Sequence, residues 1–247
     1  MFEFQSHLIF PTHAVAKAGP LPRGAELLSL KAPSGDELSG VYIPGEKGRG
    51  KRTLVLGFGG NAWNAQDVAE YLHDLYPDDE VVTFHYRGYR PSKGSPSGEA
   101  LIADAPLVYD RAVERVKPSR VIAVGFSIGT GVAARLAASR KLDGLILVTP
   151  FDSLKKVAQS MYPWLPIGPL FEHEIATAQA LRGRSVPVAI IAAQQDEIVP
   201  ADRTDALRNA VRNLVFDRTI EGAGHNDIYA RSDFHDAMHD AFDRLKL

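Results

Sequence analysis

One serine of this chain, with a glycine two positions before it and another two positions after it, has the surroundings of a nucleophile. Ser127 lies in Gly125-Phe126-Ser127-Ile128-Gly129, after an apolar β-branched run and before an alanine-rich segment. G-x-S-x-G between a strand and a helix is typical of a sharp turn that exposes a serine hydroxyl for attack on an acyl carbon. Glycine is required there because larger side chains would collide with neighbouring backbone. The alternative interpretation is a tight strand-to-helix turn without chemistry.

A serine hydroxyl is a poor nucleophile at neutral pH and needs a nearby base. Asp196 follows the predicted strand Val186–Ala192, and His225 lies in a glycine-rich loop after the predicted strand Leu214–Thr219. We predict that His225 takes the proton of Ser127 and that Asp196 orients the imidazole. No metal or other cofactor is needed for this chemistry.

Other residues compete for two of these roles. Asp152 also follows a predicted strand and is a second candidate for the acid, although its side chain equally fits a helix N-cap. His85 ends a predicted strand and is the rival base near the same edge of the sheet. His225 itself could be a surface loop histidine, and Asp227 lies too close to it in sequence to orient it easily.

Two backbone N–H groups are predicted to hold the negative charge that develops on the acyl oxygen. One belongs to Ile128, directly after the nucleophile. The other belongs to Asn61, in the glycine-rich loop Gly57–Asn64 that follows the predicted strand Thr53–Phe58. A plain strand-to-helix turn is the alternative interpretation of that loop.

These residues require a scaffold that brings separate loops to one edge. Strands are predicted, in chain order, at Thr53–Phe58, Glu80–Tyr86, Val121–Phe126, Gly144–Thr149, Val186–Ala192 and Leu214–Thr219. Helices are predicted at Ala65–Leu75, Glu99–Val116, Ile128–Ser139, Ser153–Ser160, Ile175–Arg182, Arg203–Val211 and Phe234–Leu245. This alternation predicts an α/β fold with a mostly parallel central sheet and helices on both faces. Ligands bind at the carboxyl ends of such strands, where the candidate residues lie.

The remaining segments suggest a hairpin and a cap. Glu26–Lys31 and Leu38–Ile43 flank turn residues and predict an antiparallel N-terminal hairpin. We expect residues 1–247 to form one domain, with 151–183 as a small cap segment broken by prolines. Its residues Tyr162, Trp164 and Leu165 are predicted to bind an apolar or acyl substrate. Alternatively, they only cover the edge of the sheet.

Composition argues against several other classes of function. The chain has 28 basic and 30 acidic residues and a net charge of −2, which gives no electrostatic basis for binding nucleic acid. It has no cysteine, no signal-peptide pattern and no apolar run long enough to span a membrane, so we expect a cytoplasmic protein. His235 and His239 lack the glutamate of a helical zinc pair, and we expect both to face solvent beside the apolar stripe of their helix. The segment Arg87–Gly94 lacks a phosphate-loop ending. The oligomeric state is left open.

Together the motifs resemble the α/β-hydrolase superfamily, in particular its compact branch of depalmitoylase-like and serine-aminopeptidase-like proteins. Besides the triad motifs, the resemblance includes Leu8-Ile9-Phe10-Pro11, Gly59-Gly60-Asn61-Ala62, Tyr86-Arg87-Gly88-Tyr89, Gly94-Ser95-Pro96-Ser97, Pro150-Phe151-Asp152-Ser153-Leu154, Tyr162-Pro163-Trp164-Leu165-Pro166 and Asp196-Glu197-Ile198-Val199-Pro200. One departure is Gly59, where that branch usually has histidine, so the support of the loop is expected to differ.

The resemblance implies a serine hydrolase that cleaves a carboxylic ester or thioester through an acyl-enzyme. Alternatives are a peptidase or amidase with the same triad, and a non-catalytic binding protein that kept the fold. The sequence identifies neither the physiological substrate nor its leaving group.

Overall fold

The structure is a computed structural model, and it describes residues 6, 9–46, 52–163 and 171–246 of the 247-residue chain. The predicted substrate-binding residues Trp164 and Leu165 lie outside these described residues. Tyr162, the third member of that prediction, lies inside them.

A single sheet of eight strands runs through the described residues in the order β1-β2-β4-β3-β5-β6-β7-β8. The strands are β1 Glu26–Lys31, β2 Glu37–Ile43, β3 Thr53–Phe58, β4 Glu80–Phe84, β5 Arg120–Phe126, β6 Gly144–Val148, β7 Val188–Ala193 and β8 Leu214–Ile220. β1 pairs with β2 and β2 with β4 in antiparallel fashion, and every pair from β4 to β8 is parallel. The predicted fold class and the antiparallel hairpin are therefore confirmed.

Helices follow most of the strands. They are α1 Ala65–Leu75, α2 Gly98–Val116, α3 Ile128–Leu136, α4 Leu154–Met161, α5 Thr177–Leu181, α6 Ala201–Ala210 and α7 Ser232–Lys246. Several of these helices are N-capped by a polar side chain that accepts a free backbone N–H of the first turn. Asn64 accepts the N–H of Asp67 at the start of α1, and Ser97 accepts that of Ala100 at the start of α2.

Both faces of the sheet are covered, which buries the parallel strands on two sides. α1 and α7 pack on one face through residues such as Leu72 and Phe242. α2, α3 and α5 pack on the other through residues such as Val108 and Val132. The strands β3, β6 and β7 are buried along their whole lengths. The loops that follow them therefore start from well-packed positions at the carboxyl edge of the sheet.

Small boundary errors in the predicted elements have local causes. β7 begins at Val188, two residues later than predicted, because Pro187 has no amide hydrogen to give to a neighbouring strand. α6 begins at Ala201 rather than Arg203, directly after Pro200 at the N-cap. α3 ends at Leu136 rather than Ser139, and hydrogen bonds of turn type close its last residues.

Candidate active site

Ser127 lies on the turn between β5 and α3. Its backbone has φ 51° and ψ −116°, in a region that residues other than glycine rarely adopt. The turn is held by the N–H of Ser127, which donates to Val148 O at 3.0 Å, and by the N–H of Thr130, which donates to Ser127 O at 2.9 Å. The serine thus projects from the turn at the carboxyl edge of the sheet, as the sequence pattern predicts.

Both glycines of the pentapeptide are sterically required. A Cβ on Gly125 would lie 2.5 Å from Gly129 O, and a Cβ on Gly129 would lie 2.1 Å from Phe58 O. Neither contact is possible without moving backbone. The spacing of the two glycines around Ser127 therefore reflects the close packing of this turn against β3 and against its own helix.

His225 and Asp196 lie beside the serine and form a continuous line of hydrogen bonds with it. His225 Nε2 lies 2.9 Å from Ser127 Oγ, and its Nδ1 lies 2.9 and 2.8 Å from the two oxygens of Asp196. A carboxylate only accepts, so Nδ1 carries the proton and Nε2 is the acceptor that faces the serine hydroxyl. The histidine and aspartate side chains are 5% and 6% exposed, which excludes most water from the pair.

Backbone amides hold the aspartate in place. Asp196 Oδ1 accepts the N–H groups of Ile198 at 2.9 Å and Val199 at 2.7 Å. The histidine loop is fixed separately, since Glu197 accepts the N–H of His225 at 3.0 Å and Asp227 accepts that of Gly224 at 2.6 Å. Asp227 therefore contacts the backbone of the loop rather than the imidazole. Sequence reasoning did not identify the role of Glu197.

The rival acid, Asp152, has other partners. Its carboxylate is buried and lies 2.8 Å from Lys156 Nζ and 3.4 Å from Arg203 Nη1. The suggested N-cap role for Asp152 is wrong. Ser153 is the N-cap of α4 and accepts the N–H of Lys156, because it is the residue directly before the first helical position.

The rival base, His85, is also engaged elsewhere. Its Nδ1 accepts the N–H of Ala65, at the start of α1, at 3.4 Å. Burial lowers the pKa of His85 to about 4, because the charged imidazolium is disfavoured away from water. A neutral His85 thus serves as an acceptor for the first turn of a helix.

The two residues predicted to supply oxyanion donors, Asn61 and Ile128, both border the cavity beside Ser127. Ile128 is the first residue of α3, where helical N–H groups lack intrahelical partners and the helix dipole is positive. Gly60 and Asn61 border the same cavity as Ser127, and a Cβ on Gly60 would lie 3.9 Å from Ser127 Cβ. The assignment of Asn61 and Ile128 as donors stays a prediction.

An apolar cavity of about 360 Å³ opens beside Ser127 and His225. Tyr162 borders it, together with an apolar stripe of α4 formed by Leu154, Val157, Ala158 and Met161. No lysine, arginine, aspartate or glutamate is among the described residues that line it. The cavity therefore favours an uncharged, apolar group next to the serine.

Three further residues of the wall were missed from the sequence. Ile9 comes from the N-terminal segment, Phe151 follows β6, and Tyr229 comes four positions after His225. Burial raises the pKa of Tyr229 to about 12, so its hydroxyl stays protonated. The position of Phe151 after a strand was a usable signal, whereas Ile9 offered none because only the folded chain brings it to the cavity.

The C-terminal histidines do not form a pair aimed at a ligand. His235 Nε2 donates to Tyr229 O at 2.8 Å and is half-buried, which corrects the expectation that it faces solvent. His239 is exposed and lies edge-on to Tyr76. Across residues 6, 9–46, 52–163 and 171–246, no three histidine, cysteine or acidic side chains come together as a metal would require.

The basic loop Arg87–Gly94 lies apart from the cavity. All of its residues are described, and none of them lines the wall. Arg87 forms ion pairs with Asp104 and Asp36, so its charge is already paired.

In the part of the chain that the structure describes, no helix has the length and apolar character needed to cross a bilayer.

Comparisons with known proteins identify the fold family. A family model described as alpha/beta hydrolase fold matches residues 54–174. The chain is 34% identical over 221 residues to an uncharacterised protein of Mycobacterium tuberculosis strain H37Rv, which covers 85% of this chain and 78% of that protein. It is also 35% identical over 140 residues to lysophosphatidylserine lipase ABHD12 of Danio rerio, covering 49% of this chain and 36% of the lipase.

Solved structures give the same fold. A Pyrococcus furiosus esterase superposes with a TM-score of 0.74 at 18% identity, over 94% of this chain and 96% of the esterase. An identity this low supports the fold and says nothing of the reaction. The narrower branch suggested by the sequence motifs stays a prediction.

Proposed function

This chain belongs to the α/β-hydrolase superfamily, and on that premise we propose that it is a serine hydrolase that cleaves carboxylic esters or thioesters through an acyl-enzyme. The observation that carries the proposal is the hydrogen-bonded line Ser127–His225–Asp196, with each contact between 2.8 and 2.9 Å. The sequence of hydrogen bonds, from serine to histidine to aspartate, and the burial of the last two side chains are what a nucleophile, its base and an orienting acid require.

The proposed reaction has two halves. As Ser127 Oγ attacks the acyl carbon, His225 Nε2 takes its proton, and Asp196 stabilises the imidazolium that forms. The N–H groups of Ile128 and Asn61 hold the oxyanion. His225 then protonates the departing alcohol or thiol, and water attacks the acyl-enzyme to release the acid and free the serine.

The apolar cavity supports an acyl group as the part of the substrate that lies next to Ser127. Its described lining has no charged side chain apart from the histidine when protonated. The related ABHD12 proteins are named as lysophosphatidylserine lipases, which favours an ester over an amide. An uncharged acyl chain is therefore the proposed group in this cavity.

We propose further that residues 151–183 act as a small cap. α4 faces the cavity with Leu154, Val157 and Met161, and Tyr162 borders it at the end of that helix. The backbone of this segment is fastened at its base, where the N–H of Leu154 donates to Ile175 O and that of Ala178 donates to Asp152 O. Trp164 and Leu165 are proposed as additional contacts to the substrate.

Turnover of matched substrates tests the proposed reaction. Purified protein is assayed with p-nitrophenyl esters, acyl thioesters and aminoacyl anilides. We expect hydrolysis of esters or thioesters well above that of the anilides, and a loss of about 10⁴-fold or more in kcat for Ser127→Ala. Ser139→Ala, which changes an exposed serine just beyond α3, is the matched control and is expected to keep full activity.

Two results of these assays would contradict the proposal. Preferential turnover of anilides would indicate a peptidase or amidase instead. Turnover by the wild type that is no faster than that of Ser127→Ala and no faster than the reaction without protein would show that the serine is not a nucleophile, and would leave a non-catalytic binding protein as the better account.

A further inference from the structure

Gly59 lies two positions before the proposed donor Asn61 in the loop Gly57–Asn64, here called the oxyanion loop, and it has no side chain to support that loop. The neighbouring strand supplies a contact instead. Tyr86, which lies two residues beyond the end of β4, donates its hydroxyl hydrogen to Gly59 O at 2.8 Å. β4 runs parallel to β3 in the sheet, so the two chain segments leave the same edge side by side.

The peptide units around the donor have fixed carbonyls. Gly59 O is held by Tyr86, and Gly60 O accepts the N–H of Trp63 at 3.3 Å. In a trans peptide the C=O and the following N–H point in opposite directions. The Asn61 N–H shares a peptide plane with Gly60 C=O, which Trp63 holds directly. The Gly59 C=O held by Tyr86 belongs to the adjoining peptide plane, so Tyr86 limits the direction of the donor from one peptide unit away.

The same loop touches the nucleophile turn closely. A Cβ on Gly60 would lie 3.9 Å from both Phe126 O and Ser127 Cβ. A Cβ on Gly129 would lie 2.7 Å from Gly59 O. A small shift of the Gly59 carbonyl would therefore move the donor relative to the reacting serine.

We propose that Tyr86 is a positioning residue, whose hydroxyl fixes the oxyanion loop through Gly59 O and so aims the Asn61 N–H. This inference rests on the proposed function, because it assigns a role within that reaction. Tyr86 does not line the cavity and acts through the backbone. Loss of the Tyr86 hydroxyl should therefore reduce the stabilisation of the transition state more than it reduces the affinity for substrate.

The chain offers a matched control for this residue. Tyr89 packs against Tyr86 with the ring centroids 5.7 Å apart and nearly perpendicular planes. The buried Tyr89 hydroxyl has no hydrogen-bond partner among the described residues. Tyr86→Phe and Tyr89→Phe therefore each remove one hydroxyl from adjacent rings, but only the first removes a contact to the oxyanion loop.

The test measures kcat and KM with one p-nitrophenyl ester, and the affinities for an alkyl boronic acid and for the matching carboxylate product. The boronic acid forms a tetrahedral adduct with the serine, whereas the carboxylate binds without one. For Tyr86→Phe we expect kcat to fall about tenfold, less than the loss on removing a donor outright, with KM changed less than twofold. Boronate affinity should fall by a similar factor and carboxylate affinity should not.

Tyr89→Phe is expected to match the wild type in all four quantities, and circular dichroism checks that both variants are folded. Equal kcat and boronate affinity in Tyr86→Phe and Tyr89→Phe would overturn the inference. So would a parallel loss of carboxylate affinity in Tyr86→Phe, which indicates general loosening of the site. A wild type without hydrolytic activity would instead refute the proposed function.

Discussion

At the scale of the residue, neighbours decide which of two similar side chains can act. Asp196 and Asp152 both follow a strand at the same edge of the sheet. Asp196 is held by the N–H groups of Ile198 and Val199 and faces His225, whereas Asp152 is paired with the side chains of Lys156 and Arg203. The sequence favoured Asp196 but left Asp152 open, because Arg203 comes close only after folding.

His85 gives a prediction about stability and pH. Its pKa is about 4 in the folded protein, and the ordinary value of about 6.5 applies to the unfolded chain. The unfolded chain therefore binds more protons between these values, and the stability that neutral His85 contributes, fully present above pH 6.5, is lost as pH falls towards 4. The shift corresponds to about 3 kcal/mol of unfolding free energy between pH 7 and pH 4.

Urea unfolding of the wild type and of His85→Asn at pH 7, 5.5 and 4 checks this sign. Asparagine can accept the same N–H of Ala65 and does not titrate. The variant should lose about 3 kcal/mol less stability than the wild type over this range, since the carboxylates titrate alike in both. Parallel losses of free energy in the two proteins would show that His85 is not held neutral by burial.

At the scale of the element, α4 follows β6 and lines the cavity with one of its faces. The sequence predicted this helix to within one residue at each end, since Leu154, Val157, Ala158 and Met161 recur at helical spacing. Periodicity shows that a helix has an apolar face but does not show what that face meets. Here the stripe lines the cavity rather than packing only on the sheet.

We therefore predict that Val157→Trp shortens the acyl chain that the cavity accepts. The larger ring would occupy space within a cavity of about 360 Å³ beside the serine. The ratio of kcat/KM for an octanoyl ester over that for an acetyl ester should fall at least about tenfold, since each excluded methylene removes favourable contact.

Ser160→Trp is the control for that series. Ser160 is exposed on the same helix and does not line the cavity. The same tryptophan there should leave the ratio within about twofold of the wild type. An unchanged ratio in Val157→Trp would place the acyl chain elsewhere.

At the scale of the whole molecule, the sheet brings three distant loops together. Ser127, Asp196 and His225 follow β5, β7 and β8, and β6 lies between the first two strands. Alternating strands and helices predicted a parallel sheet and a common edge, but not the order of the strands. The contribution of Ile9 to the cavity depends on the path of the N-terminal segment over the surface, for which the sequence has no periodic signal.

Covalent labelling by a fluorophosphonate probe, located by mass spectrometry, tests the central claim most directly. Only a serine activated by an adjacent base reacts readily with such a probe. The account predicts one labelled peptide, modified at Ser127, with no labelling of Ser127→Ala and strongly slowed labelling of His225→Ala. Failure of the folded wild type to label, or equal labelling of the wild type and His225→Ala, would contradict it.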